Sequence, residues 1–119
     1  MKVKVRISIV NDDNKSYMGI GLLWLLSRIK KYNSIRKAAM DMNMSYAKAH
    51  KILDELEANI GRKILIKKIG GPEGGGAKLT DFGEEFLKKY GEFQKKVEKY
   101  AEEEFKSISS CIINVVKDN

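Results

Sequence analysis

The chain has 119 residues, 43% of them hydrophobic, enough for one compact domain with an appendage and too apolar for general disorder. No apolar run approaches the roughly 18 residues that a bilayer crossing needs. One cysteine, Cys111, excludes an internal disulfide, and one histidine, His50, excludes clustered imidazole ligands.

The net charge of +7 favours a polyanionic partner. It is unevenly spread: residues 1–33 carry +5 and 34–69 carry +4, whereas 80–107 carry −2. The basic excess belongs to the front two thirds of the chain. The N-terminus alternates Lys2, Lys4, Arg6 and Ser8 with Val3, Val5, Ile7 and Ile9, a period of two that predicts a half-buried strand over 2–10 rather than a signal peptide. A soluble, cytoplasmic protein is expected.

Asn11 to Lys15 reads as a polar turn. From Gly19 to Tyr32 the spacing of Leu22, Leu23, Leu26 and Ile29 predicts a strongly apolar helix, widened by Trp24 and Leu25. It is either a central core helix or one that also meets a second subunit through Trp24. Ser34 is a good N-cap for a short helix from Ile35 to about Met42, whose Ala38-Ala39 pair allows close packing. Asn43 tolerates the left-handed conformation, so Met42-Asn43-Met44 can turn sharply before Ser45 caps the next helix.

That helix, from Ser45 to about Ile60, sets Ala49, Ile52, Leu53, Leu56 and Ile60 on one face. Ala47, Lys48, Lys51, Asp54 and Glu55 lie opposite, with Tyr46 and His50 at the flank. The cations cluster in the first two turns, as suits a helix that points its N-terminal half into a DNA groove. Gly61 ends it, and Lys63–Ile69 is a predicted strand bearing Lys67 and Lys68. Five glycines within 70–76 exclude regular structure, and Ala77-Lys78-Leu79 returns as a second strand. A nucleotide-phosphate loop is disfavoured, because no Gly-Lys-Thr sequence and no helix follow the glycines directly.

Thr80 caps the last helix, with Asp81, Glu84 and Glu85 in its first turn. Phe86, Tyr90, Phe93, Val97 and Tyr100 follow a heptad-like spacing that continues irregularly to Ile108. Such a seam wants a partner, and a second copy of the same helix is the simplest one. The apolar tail Cys111–Val116 is a candidate strand. The expected divisions are 1–79, 80–108 and 109–119.

Three stretches carry a family resemblance: Ser34-Ile35-Arg36-Lys37-Ala38-Ala39, then Met44-Ser45-Tyr46, and above all Gly70-Gly71 followed by Gly74-Gly75-Gly76-Ala77-Lys78-Leu79-Thr80-Asp81-Phe82-Gly83. Over roughly residues 3–107 the chain resembles the N-terminal DNA-binding domain of ModE-type, molybdate-dependent transcriptional regulators, itself similar to the winged helix-turn-helix of LysR-type regulators. The resemblance implies a mainly α fold with a small β wing and a long C-terminal dimerisation helix. It places the Ser45 helix in the major groove of double-stranded DNA and the Gly70–Gly76 wing along the backbone or minor groove.

Residues and resemblance together make Ser34, Arg36, Ser45, Tyr46, Ala47, Lys48, His50, Lys51, Lys67, Lys68, Gly74, Gly75 and Lys78 the candidate DNA contacts. Leu22, Trp24, Leu25, Phe86, Tyr90, Phe93, Val97 and Tyr100 are the candidate homodimer contacts. The family usually shows glycine at Asn43, a basic residue at Ala47 and tryptophan at His50, so a different operator is expected. The chain ends at Asn119, short of the family's molybdate-binding domain, and molybdate sensing by that module is not expected; the effector is open. His50 has no sequence-local partner and Cys111 sits in an apolar tail, so no catalytic residue, metal or cofactor is expected. The rival to DNA binding is a winged-helix adaptor that binds other proteins.

Overall fold

A computed structural model describes residues 1–68 and 76–118, with side chains to Asn114. The elements run β1 (Ile9–Val10), β2 (Ser16–Met18), α1 (Ile20–Tyr32), α2 (Ile35–Asp41), α3 (Tyr46–Ile60), β3 (Leu65–Lys68), β4 (Gly76–Leu79) and α4 (Asp81–Asp118). The fold is mainly helical with two small antiparallel hairpins, consistent with a winged helix followed by a long helix.

Residues 2–8 alternate in exposure as the period of two implies, yet only Ile9 and Val10 form strand, paired with β2. The expected strand over 2–10 is otherwise an extended segment whose backbone is held by side chains of α4. Gln94 Nε2 donates to the Val5 carbonyl at 2.8 Å, Gln94 Oε1 accepts from the Ile7 amide at 3.3 Å, and Tyr90 Oη donates to the Ile7 carbonyl at 2.8 Å. Asn11 shapes the turn into β2 by accepting the amides of Asp13 and Lys15 at 2.9 and 3.0 Å.

The core forms where α1, α2 and α3 meet. Leu25, Leu26 and Ile29 of α1 close on Ala38 and Ala39 of α2 and on Ala49, Leu53 and Leu56 of α3, all buried. Burying each of the larger side chains contributes about 1.5–3 kcal/mol, and the alanines let the helix axes approach. Asn33 ends α1 in the left-handed conformation at φ 53°, and its carbonyl accepts the Ala77 amide at 3.0 Å, which fastens β4 to the helices.

At the base of β3, Glu57 Oε2 accepts the amides of Ile64 and Leu65 at 2.8 and 3.2 Å. Thr80 Oγ1 donates to the Lys63 carbonyl at 2.8 Å and accepts the Gly83 amide at 2.9 Å, so one side chain both closes the hairpin and starts α4.

The tail expected as a strand continues α4 instead. After Gly91 no glycine and no proline interrupts the chain before Asp118. A short apolar run does not by itself distinguish strand from helix, and no neighbouring strand offers Cys111–Val116 a ladder among the described residues. The helix has 38 residues, about 57 Å at 1.5 Å per residue, and sets the 68 Å long dimension of the molecule.

Candidate nucleic-acid interface

Two serine caps set the geometry of the exposed face. Ser34 Oγ accepts the Lys37 amide and Ser45 Oγ accepts the Lys48 amide, each at 3.1 Å, contributions of about 1 kcal/mol apiece. Accepting uses a lone pair and leaves each hydroxyl proton free to donate to an anion. Between the caps Asn43 holds φ 53° and the Met44 amide bonds the Ala39 carbonyl at 2.9 Å, making the turn tight.

Because Ala49, Leu53 and Leu56 point inward, Tyr46, Ala47, Lys48 and Lys51 face outward and are exposed. The first turn of α3 holds no acidic residue, so nothing there offsets the positive end of its dipole. The Arg36 guanidinium lies 4.7 Å from the Tyr46 ring centre, and the Tyr46 and His50 rings are 5.8 Å apart. His50 Nδ1 donates to Asp54 Oδ2 at 3.0 Å, and Lys67 Nζ donates to His50 Nε2. A lysine donor at Nε2 and a carboxylate at Nδ1 assign the neutral Nδ1–H tautomer.

Arg36, Tyr46, His50 and Lys67 thus form one continuous line from α2 across α3 to β3. Of the acids of α3, Glu57 is turned into the base of the wing, whereas Asp54 joins the line through His50 and Glu55 is exposed.

The hairpin separates residues that the sequence places side by side. Leu65 pairs with Leu79, Ile66 with Lys78, Lys67 with Ala77 and Lys68 with Gly76. Lys67 therefore shares the inward face of Leu65, Ala77 and Leu79, whereas Lys68 and Lys78 share the outer face with Ile66. Gly74 and Gly75 lie outside the described residues.

Sequence reasoning passed over two further side chains at this face. Lys37 is exposed in the first turn of α2 and, like Lys48 and Lys51, makes no ion pair among the described residues; its place beside Arg36 was the available signal. Arg28 of α1 holds Asp41 at 2.7 Å and so ties down the end of α2, a long-range pair that spacing does not announce.

Of the candidate subunit contacts, Leu22, Leu25 and Tyr90 lie in the core of the single chain. Their stripe is consumed by α1 packing and by the Tyr90–Ile7 hydrogen bond. Phe86 and Val97 are half-buried, while Trp24, Phe93 and Tyr100 are 47%, 49% and 65% exposed and remain open to a partner.

Over 66 residues the chain is 32% identical to a molybdenum transport protein, ModE, of Azotobacter vinelandii. The match covers 56% of this chain and 24% of the relative, about a quarter of that protein's length. No protein-family model matches the chain. The likeness to ModE is thus confined to a part of each protein. Among the described residues no group of three His, Cys, Asp or Glu side chains gathers as a metal ion needs, and no helix is long and apolar enough to cross a membrane.

Proposed function

We propose that this chain is a dimeric, sequence-specific DNA-binding transcriptional regulator of the cytoplasm, with no catalytic activity. The observation that carries the reading is the uncovered face of α3. Lys48 and Lys51, unpaired among the described residues, flank the Arg36–Tyr46–His50–Lys67 line there, and Glu57 is turned away into the base of the wing. The partial likeness to ModE supports it.

In this reading α3 enters the major groove, with Tyr46, Lys48, His50 and Lys51 toward base edges and Ala47 against the groove floor. Ser34, Arg36, Lys37 and Ser45 donate to phosphates, where most of the affinity arises. The wing, with Lys68, Gly74, Gly75 and Lys78, lies along the backbone. Two copies present their α3 helices to successive grooves about 34 Å apart on a partly palindromic site.

Fluorescence anisotropy with a random duplex at two salt concentrations, followed by selection of bound sequences from a random pool, tests the proposal. Binding that weakens steeply with salt, and an enriched motif with two half-sites, are expected. No binding at low salt would exclude DNA and leave the adaptor reading.

A further inference from the structure

Three ties hold the wing hairpin against the helices. At its base Glu57 accepts the Ile64 and Leu65 amides, and Thr80 donates to the Lys63 carbonyl. On β4 the Ala77 amide bonds the Asn33 carbonyl. On β3 the tie is the Lys67 ammonium donating to His50 Nε2, two residues beyond Leu65 and so about 7 Å further out along the strand. His50 and Glu57 are seven positions apart, two turns along the same face of α3. The base tie and the β3 tie together therefore fix the angle of the hairpin to that helix.

Only the third tie runs through an imidazole, the one side chain that ordinarily changes charge between about pH 5 and 8. A ring nitrogen that accepts from an ammonium has to be unprotonated. Once solvent delivers a proton to Nε2, that atom becomes a donor facing a second donor, both positive, and the Lys67 bond is lost. The 3.0 Å bond from Nδ1 to Asp54 survives, because Nδ1 donates in both states, so the ring stays anchored to α3 while β3 is let go. The other groups about the ring are Tyr46, whose ring lies 5.8 Å from that of His50, Arg36 of α2 resting on Tyr46, and Lys51, the next residue. Lys78 of β4 projects from the outer face of the hairpin.

We propose that protonation of His50 releases Lys67 and frees the wing from its fixed angle to α3, so that the sequence selectivity of the interface falls in acid. The inference rests on the DNA-binding reading above and names how that same face is regulated. Release also presents two cations, the imidazolium and the Lys67 ammonium, where one was masked. Phosphates attract both, so affinity for any duplex rises while discrimination between duplexes falls.

The chain has a single histidine, so its imidazole signals in NMR spectra identify themselves. The full chain, without added histidines, is titrated from about pH 8 to about pH 5.5. At the alkaline end the ring proton is expected on Nδ1. The Leu65 and Ala77 amides are expected to shift along the imidazole curve in the wild type and to stay nearly still in Lys67→Ala. A ring proton on Nε2 at the alkaline end, or hairpin amides that ignore the imidazole, overturns the release whether or not DNA is bound.

Anisotropy at both pH values then compares the duplex that each protein selects from a random pool at the alkaline end with a random duplex. In the wild type the ratio of the two Kd values is expected to fall about tenfold on acidification, the scale of one lost base contact, while the random duplex binds more tightly. In Lys67→Ala the ratio is expected to stay constant. It should also stay constant in His50→Gln, whose amide remains neutral and still offers Lys67 an acceptor. An equal fall in His50→Gln assigns the effect to another group and overturns the proposal, as does a constant ratio in the wild type. If neither duplex binds at low salt, the regulator reading falls and the selectivity claim with it, while the NMR titration still decides the release of Lys67.

Discussion

His50 on α3 accepts a hydrogen bond from Lys67 on β3 while donating one to Asp54 at 3.0 Å, so a single imidazole links α3 to the hairpin. Lys67 is thereby committed to a protein contact, whereas Lys68 and Lys78 stand on the opposite face of the same hairpin. Lys67→Ala is expected to alter which duplex sequence is preferred, because the hairpin loses its fixed angle to α3. Lys68→Ala and Lys78→Ala are expected to weaken specific and random duplexes alike, each lowering the salt slope by about 0.9 for every phosphate no longer neutralised. Anisotropy titrations of the three variants check this; identical behaviour of Lys67→Ala and Lys68→Ala would show that the two faces are not distinguished.

Lys48 and Lys51 carry the readout proposal most directly, being exposed on α3 and unpaired among the described residues. Replacing either by alanine is expected to cost about 1–3 kcal/mol of specific binding if it reads a base, and to relax preference at one position of the site. Folding stability should stay within about 0.5 kcal/mol, since neither side chain is buried. Denaturant titration beside binding on specific and random duplexes separates the effects. If both variants bind as the wild type does, α3 is not in the interface.

The helices were legible because local chemistry marks their ends. Ser34 and Ser45 cap as side chains of that type should, Asn43 and Gly61 adopt the left-handed conformation that their place requires, and the α3 apolar spacing matches its buried face. What spacing does not encode is the identity of a distant partner. The alternation in residues 2–8 is satisfied by Tyr90 and Gln94, more than 80 positions away, so it looked like strand without being one. The tail was ambiguous for a related reason: isoleucine and valine suit either state, and only the absence of a neighbouring strand among the described residues decides for helix. At the candidate interface, the residue types were readable, but the Lys67–His50 contact joins two elements whose mutual angle no periodicity reports.

Gly83 and Gly91 both lie in α4 and should respond oppositely to alanine. A Cβ at Gly83 would strike the Ile64 carbonyl oxygen and crowd the Ile64 side chain, where the helix starts against the hairpin. A Cβ at Gly91 would meet only Leu23 Cδ1, at 3.9 Å, an ordinary contact. Gly83→Ala is therefore expected to destabilise by about 1–3 kcal/mol through forced displacement of backbone. Gly91→Ala should stabilise by about 0.5–1 kcal/mol, because glycine in a helix interior carries excess conformational freedom. Urea denaturation midpoints of the two variants test the contrast, and a stabilising Gly83→Ala would mean that the close approach is not maintained.

Tyr90 offers a test by pH. Burial pushes its hydroxyl above the ordinary tyrosine range, and the same hydroxyl donates to the Ile7 carbonyl at 2.8 Å. A folded chain that holds this proton more tightly than the unfolded chain gains stability that is complete below the unfolded tyrosine value of about 10. That gain is lost as pH climbs through the higher folded value. Tyr90→Phe removes the proton and the hydrogen bond together. At neutral pH it is expected to cost about 0.5–1.5 kcal/mol, for the missing bond and the Ile7 carbonyl left without it. Above pH 10 the gap between wild type and variant should narrow, because the wild type alone must retain a proton there to keep its hydrogen bond. Thermal or denaturant unfolding of both proteins from neutral to alkaline pH measures the gap directly. A gap that is constant across that range would show that folding does not tighten the hold on the Tyr90 proton, and no gap at neutral pH would show that residues 2–8 are fastened to α4 by Gln94 alone.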